Sequence, residues 1–291
     1  MGWLLLFLAL LSHLNVSAQT TGFPSLRLSG SARPAGMADL STALCGPEAT
    51  NPAALSATTA RAYAFSHKAW IGDINQQHLH AVRQGTHSAW ALRAQVWQAD
   101  GIEYRTGPSR QPLGTFGVYD LATGIVYARN LSSGMRLGGQ LKLLRQSIST
   151  QSAVGYGIDV GLLYPLGDHL LAGAALLNAG AMNRLERLAT PLPTEGRIGL
   201  TYDGVQDLLL GIEMQKARET DLSLHAGGQY WTQEFLALRL GYQTADNRGL
   251  SGGMRIRVRS WTVDYAYMHF SDGLGQAHQV SLQFNGGATV R

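Results

Sequence analysis

Charge is scarce in this chain: Asp, Glu, Lys and Arg make up 14% of its 291 residues, against roughly a quarter in soluble domains. A water-soluble globule so poor in charge would struggle to cover its surface, so the composition leans towards a protein with one face in lipid. Cysteine is nearly absent. The single thiol, Cys45, excludes an intramolecular disulfide framework, and no lipobox-like run precedes it. Beyond the first eighteen residues there is no stretch of 18 apolar residues, so any crossing of a membrane must be made by strands. Also missing are an HExxH motif, a Cys/His cluster of zinc spacing, a P-loop and a dinucleotide fingerprint; the one Gly-x-Ser-x-Gly match, at 249–253, falls inside an alternating strand run and not at the strand-to-helix turn of a nucleophile elbow. The expectation is a protein that is not an enzyme, with no catalytic residue, no cofactor and no metal. His78 and His80 share a strand face, but with no carboxylate nearby they read as lumen-facing side chains rather than ligands. The net charge of +4 is spread along the chain without a Lys/Arg run, which speaks against nucleic acid as a partner.

What the chain does have is a leader, glycine and alternation. Residues 3–11 form a short apolar run that leads to Val16-Ser17-Ala18, a small-x-small site, so 1–18 read as a secretory signal peptide. Glycine is abundant, at 35 residues. From residue 59 onward, apolar and polar residues alternate at period two, as in strands with two unlike faces. Leu250, Met254, Ile256 and Val258 share one face of such a run, and Ser251, Gly253, Arg255 and Arg257 the other. Marking these runs gives fourteen strands, at 59–66, 76–84, 87–97, 121–130, 134–146, 153–164, 169–178, 194–202, 206–216, 220–230, 234–243, 249–258, 261–270 and 277–285. The connections sort by parity. Those after even-numbered strands have two to four residues, whereas the long ones, 67–75, 98–120 and 179–193, all follow odd-numbered strands. Outer-membrane barrels show this asymmetry, with short periplasmic turns and longer outer loops. The expected fold is therefore all-β, a closed antiparallel 14-stranded transmembrane β-barrel over 59–286, with a short tail at 287–291.

Closure gives the two faces a meaning, because lipid offers no hydrogen bonds to an open edge. The apolar face looks out to lipid. The polar face lines the lumen, with Arg93, Gln95, Arg136, Lys142, Asp159, Glu213, Arg255, Arg257 and Asp264 as candidate lumen-lining or plug-contacting residues. Trp97, Tyr164, Tyr202, Tyr230 and Trp261 fall near strand ends, as interfacial girdles do. Residues 19–58 lack sustained alternation and are rich in Ala, Ser, Thr, Gly and Pro. One short helix and a turn at Asn51-Pro52 are expected there. A fourteen-strand lumen is wide enough to need filling, so this segment reads as an N-terminal hatch or plug. The glycines of 153–164 mark a strand able to kink.

Several short stretches, taken in order, resemble the PorV/PorQ family of FadL-like outer-membrane barrels. They include Ser31-Ala32-Arg33-Pro34-Ala35-Gly36-Met37-Ala38, then Asn51-Pro52-Ala53-Ala54-Leu55, Phe65-Ser66-His67-Lys68-Ala69-Trp70 and Tyr127-Ala128-Arg129. Gly157-Ile158-Asp159-Val160-Gly161, Asn178-Ala179-Gly180, Leu238-Arg239-Leu240-Gly241-Tyr242 and Asp264-Tyr265-Ala266-Tyr267 continue the pattern. The resemblance implies a fourteen-stranded barrel with an N-terminal hatch, lying in the outer membrane of a Gram-negative-type bacterium. It implies a scaffold or cargo-binding role in type IX secretion, with outer-membrane lipid, secretion-system proteins or secreted cargo as partners. The FadL side of the resemblance implies the alternative, a passive transporter whose partner is a hydrophobic ligand.

Overall fold

The computed structural model describes residues 22–57, 61–108, 110–131, 134–185, 191–245 and 247–286. The signal peptide expected at 1–18 and the tail expected at 287–291 lie outside them. Fourteen strands form one closed antiparallel barrel in which each strand pairs with its neighbours in sequence. They are β1 (Arg61–Ala69), β2 (Asn75–Gln84), β3 (Ser88–Tyr104), β4 (Gly114–Asn130), β5 (Arg136–Ile148), β6 (Gln151–Pro165) and β7 (Leu170–Met182). The second half is β8 (Glu195–Val205), β9 (Leu208–Ala217), β10 (Ser223–Gln233), β11 (Leu236–Gln243), β12 (Arg248–Val258), β13 (Trp261–Phe270) and β14 (Gln276–Gly286). The ring closes where β1 pairs with β14, in continuous register from Arg61↔Gly286 to Ala69↔His278.

Strand count and order are as the alternation predicts. The largest departure is the stretch 98–120, expected as a loop. Most of it is strand: β3 and β4 run on past their other neighbours and pair with each other as far as Tyr104↔Gly114. Residues 101–104 and 114–117 pair with neither β2 nor β5, so this hairpin stands beyond the rim as a two-stranded ribbon. Here both ribbon faces meet solvent, so there was no two-faced alternation to read. The Gly-rich β6 keeps an unbroken register with β5. Its irregularity is on the other side, where the pairing with β7 shifts between Ile158 and Val160.

The two barrel faces differ as period two requires. Outward side chains are apolar and exposed, for example Leu92 at 61%, Leu143 at 65% and Leu240 at 66%. Inward positions are small or polar and buried, among them Gln140, Asp159, Glu213, Arg239 and Ser281. Tyr164, Tyr202, Tyr230 and Trp261 are exposed on the outward face. Trp97 is not. It shares the inward face of β3 with Arg93 and Gln95, lying between the buried Gln76 and Asp120 in register. A girdle position near a strand end depends on parity as well as depth, and Trp97 has the inward parity.

Residues 22–57 carry a 3-10 turn at Pro24–Arg27, a single helical turn at Ala32–Ala35 and a 3-10 turn at Pro52–Ala57. The helix expected there is thus only one turn long. This segment lies inside the barrel and is almost wholly buried. From Ala32 to Pro52 it follows the inner wall in strand order, passing β14, β12, β10, β9, β8, β6 and β5 in turn. Side-chain-free wall positions let its backbone come close. A Cβ on Gly241 would fall on the Met37–Ala38 backbone, and one on Gly138 on the Pro52–Ala53 backbone. Gly241→Val is expected to expel the segment locally at a cost of about 1–3 kcal/mol, while leaving the barrel closed. Protease sensitivity of residues 22–57 should rise, with the barrel's heat-modifiable gel mobility unchanged; unchanged protection would contradict the close approach.

Candidate functional site

Candidate chemistry in this molecule concentrates where the N-terminal segment meets the wall. A coil inside a lumen must satisfy its backbone groups on something other than a ladder. Short polar side chains of the wall do this. Ser281 accepts the Ala32 N–H and Ser251 the Ala38 N–H, each at 2.8 Å, and Thr201 donates to the Ala43 carbonyl at 2.9 Å. The His225 imidazole meets the Ala38 carbonyl at 2.6 Å. Asn51, fully buried, donates to the Thr42 carbonyl at 2.7 Å and the Leu162 carbonyl at 3.1 Å. Its own side-chain oxygen accepts the Ala53 N–H at 3.0 Å, which starts the 3-10 turn that Pro52 opens.

Three carboxylate clusters carry the charge. Glu213 of β9 accepts the N–H groups of Ser41 and Thr42 at 2.8 Å each and the Thr42 hydroxyl at 2.6 Å. Behind it, Gln215 donates to Glu213 at 3.0 Å, and Arg197 lies 3.6 Å from Glu213 and 2.7 Å from Glu195. In the second cluster, Glu48 of the segment meets Arg255 at 2.8 Å and Arg33 at 3.5 Å. Arg255 in turn holds Asp264 through two bonds of 2.8 and 2.9 Å, and Arg239 meets the same carboxylate at 2.6 Å. The third pairs Asp39 with Arg248 at 2.5 Å and with the Ser29 hydroxyl. Lys68 donates to the Ser29 carbonyl at 2.8 Å.

Glu213, Arg255, Asp264 and Asn51 therefore come together with the segment, directly or through one partner. Arg136 also reaches it, donating to the Cys45 sulfur at 3.2 Å. Lys142 and Asp159 do not. They pair with each other at 2.8 Å, and Asp159 accepts the Asn178 N–H at 2.7 Å. Asn178 has φ 59° at the β6–β7 irregularity, so this pair holds a bulge in the wall. Arg257 also stands apart, at the turn end of β12, with its guanidinium 4.5 Å from the Trp231 ring centre. Sequence reading missed Glu195, Arg197, Arg239 and Arg248, although strand parity could have placed Arg197 and Arg239 inward. It also passed over Arg33, Asp39 and Glu48, three of the few charges of the segment.

Between the segment and the β2–β7 wall lies a cavity of about 70 Å³, whose lining includes Leu26, Glu48, His78, Arg93, Lys142 and Asp159. That is room for a few waters, while a benzene-sized guest takes a cavity of about 150 Å³. His78 and His80 lie side by side in the lumen, ring centres 5.7 Å apart. Among the described residues no group of three or more His, Cys, Asp or Glu could hold a metal. Further along, the lumen has an apolar cluster in which Phe23 and Leu26 pack against Ala122, Leu144, Met182 and Leu192.

Burial alone would raise the Glu48 carboxyl, but Arg33 and Arg255 outweigh it and hold the group down to about 2. Asp39 likewise is held well below the usual carboxylate range, since Arg248, Lys68 and the Ser29 hydroxyl outweigh burial. A lowered folded-state value means stability that is full above the ordinary range, near pH 4 to 5, and is lost as pH falls through it. Amide exchange of the segment, corrected for its intrinsic rate, should thus accelerate between about pH 4.5 and pH 2 before that of the barrel strands. Acceleration on raising pH instead would refute the assignment. At neutral pH, Glu213→Ala leaves the Ser41 and Thr42 donors unmatched and should cost about 3–5 kcal/mol. Thiol labelling of Cys45, the only cysteine, would read the release; Glu213→Gln, which keeps an acceptor, should label more slowly than Glu213→Ala.

No protein-family model matches the chain, and no curated protein matches its sequence. Solved structures match its fold. The TodX deltaS2S3 mutant, a monoaromatic hydrocarbon channel, superposes with a TM-score of 0.70 at 14% identity, covering 88% of this chain and 98% of that one. The toluene transporter TodX of P. putida gives 0.68 at 14% identity, covering 89% and 99%. A Pseudomonas aeruginosa FadL homologue gives 0.64 at 13% identity, again covering 89% and 99%. At such identities the likeness is one of fold, that of the FadL-like channels.

Proposed function

We propose that this protein is a non-enzymatic outer-membrane barrel that admits small hydrophobic compounds, with the N-terminal segment as the element that closes it. The apolar cluster of Phe23, Leu26, Ala122, Leu144, Met182 and Leu192 inside the lumen carries this reading. Phe23 and Leu26, the two residues of the segment in it, hold the segment's start by apolar burial worth about 1.5–3 kcal/mol for each side chain fully buried. A compound of similar chemistry could take their place once the segment moves. The fold likeness to hydrocarbon channels supports the same reading, and the exposed apolar outward face supports a lipid setting. With only about 70 Å³ free beside the plug, passage requires the segment to shift.

The scaffold role in type IX secretion rests on the PorV/PorQ resemblance. One feature of the structure favours it as a second reading, the projecting β3–β4 ribbon with its exposed Tyr104 and Leu113. The two readings separate in cells. Uptake of a labelled aromatic hydrocarbon at low concentration should fall when the protein is deleted and return with the wild-type chain. Leu144→Trp, which enlarges a side chain of the cluster, should restore the barrel but cut uptake by about tenfold, whereas trimming the ribbon tip at 105–113 should leave uptake intact. Uptake indifferent to deletion, together with loss of surface-attached proteins on trimming the ribbon, would turn the assignment to the scaffold.

A further inference from the structure

On the outward face, near the end of the barrel that carries the short turns, Arg61 of β1 stands directly opposite Arg83 of β2 in register. Both are exposed, and among the described residues neither guanidinium pairs with a carboxylate. Like charges directly opposite on one face of a sheet repel, so the pair makes sense with an anion between them. Two residues further along the same face, Ala81 lies opposite Tyr63. Ala81 floors an outward groove of about 410 Å³ walled by Tyr63, Phe65, Leu79, Leu92, Trp261 and Phe284. The groove is apolar along its length, and the two arginines stand at the next outward positions beyond Tyr63 and Ala81. Aromatic rings flank this end of the groove, with Trp261 and Phe284 5.0 Å apart on one side and Trp90 and Tyr127 4.5 Å apart on the other. Trp90 is itself in register with Arg83.

The charge around this rim is divided. Exposed Arg129, at the end of β4, and exposed Arg259, in the β12–β13 turn, continue the basic arc on either side of Arg61 and Arg83. The turns on the far side of the rim expose Asp168, Asp203, Asp207 and Glu234. An anion would be drawn to one arc and repelled from the other, over distances about that of the screening length.

We propose that this groove is a binding site for an anionic glycerophospholipid of the periplasmic leaflet. An acyl chain lies over Ala81, and the phosphate bridges Arg61 and Arg83. The inference rests on the outer-membrane reading above, since short turns mark the periplasmic side, but it does not depend on what the lumen transports. A free anion would use the arginines alone and leave the groove unexplained. A lipid uses both.

The test takes the full-length barrel in nanodiscs of phosphatidylcholine doped with phosphatidylglycerol, released into detergent for native mass spectrometry. The wild type should retain phosphatidylglycerol over phosphatidylcholine by at least about tenfold, since each arginine near an anionic surface is worth roughly fivefold in affinity. R61Q/R83Q should lose about tenfold of that preference, and Arg145→Gln, an exposed outward position on β5, should not change it. Ala81→Trp, which fills the groove but keeps both arginines, should reduce retention as well. Equal retention by R61Q/R83Q and wild type would overturn the site. So would displacement of the lipid by millimolar inorganic phosphate together with full retention in Ala81→Trp, which would show a free-anion site. Failure of the wild-type barrel to insert into the nanodiscs would instead sink the outer-membrane reading, a result visible before any lipid is counted.

Discussion

Everything in this molecule depends on the pairing of β1 with β14. A sheet whose outward side is apolar has no water there to satisfy an edge strand, so the last strand must find the first. The continuous register from Arg61↔Gly286 to Ala69↔His278 achieves this without a bulge. Closure at fourteen strands then fixes a second problem. The ring is too wide for wall side chains to fill it, even long ones such as Arg197, Arg239 and Arg255. The volume has to be taken up by chain that does not belong to the sheet, and residues 22–57 take it up.

A coil placed there meets a demand that a helix would not. Its N–H and C=O groups have few partners of their own, so the wall must provide them. This explains the glycine, Ser, Thr and carboxylates of the inward face, set among aliphatics such as Val82, Val126 and Leu163 that pack on the segment's own apolar residues. Glycines such as Gly138 and Gly241 let the backbone approach, and Ser281, Ser251, Thr201 and Glu213 meet it when it arrives. The charges follow the same logic. A buried carboxylate needs cations or hydrogen-bond donors: Asp39, Glu48 and Glu213 have cations, and Asp120 has the Ser25 hydroxyl and the Gln146 amide.

The barrel was legible in the sequence because its signal is repeated fourteen times. An error in one strand leaves the others in place, and the long connections that follow odd strands check the count independently. The outward apolar residues and the inward Arg255, Glu213 and Asp264 follow from parity alone. What parity cannot give is distance around the ring. Asp159 and Glu213 look alike in sequence, each a lone acid on an inward face. One holds the Asn178 bulge in its own wall and the other holds the segment, because only the path of residues 31–53 decides which wall positions are covered. Arg257 shows a further limit. Its parity is inward, but at the last turn of a strand the lumen has already opened, and the side chain finds the Trp231 ring instead. The β3–β4 ribbon escaped notice for the opposite reason, having left the barrel whose two environments create the alternation.

The way the plug is held bears on whether it can move. An element anchored by apolar packing loses its stabilisation outright when displaced into water. One anchored by hydrogen bonds and ion pairs exchanges protein partners for water, and the net worth of each such bond is only about 0.5–1.5 kcal/mol. Between Ser31 and Asn51 the segment is held in both ways: Ser281, Ser251, His225, Glu213 and Arg255 meet its polar groups, while Ala32, Ala35, Met37, Leu40 and Leu44 are buried in apolar clusters. Its apolar side chains pack in several clusters along its length, of which that of Phe23 and Leu26 lies nearest its start. On the function proposed above, a hydrophobic compound entering that cluster would replace its apolar contacts, and water entering behind it would replace neighbouring polar ones. Displacing the start of the segment would then need no single large loss, while Met37, Leu40, Leu44 and Leu55 keep the rest of it anchored. The barrel wall, whose ladder bonds have no such substitute on the lipid side, stays closed while its contents rearrange.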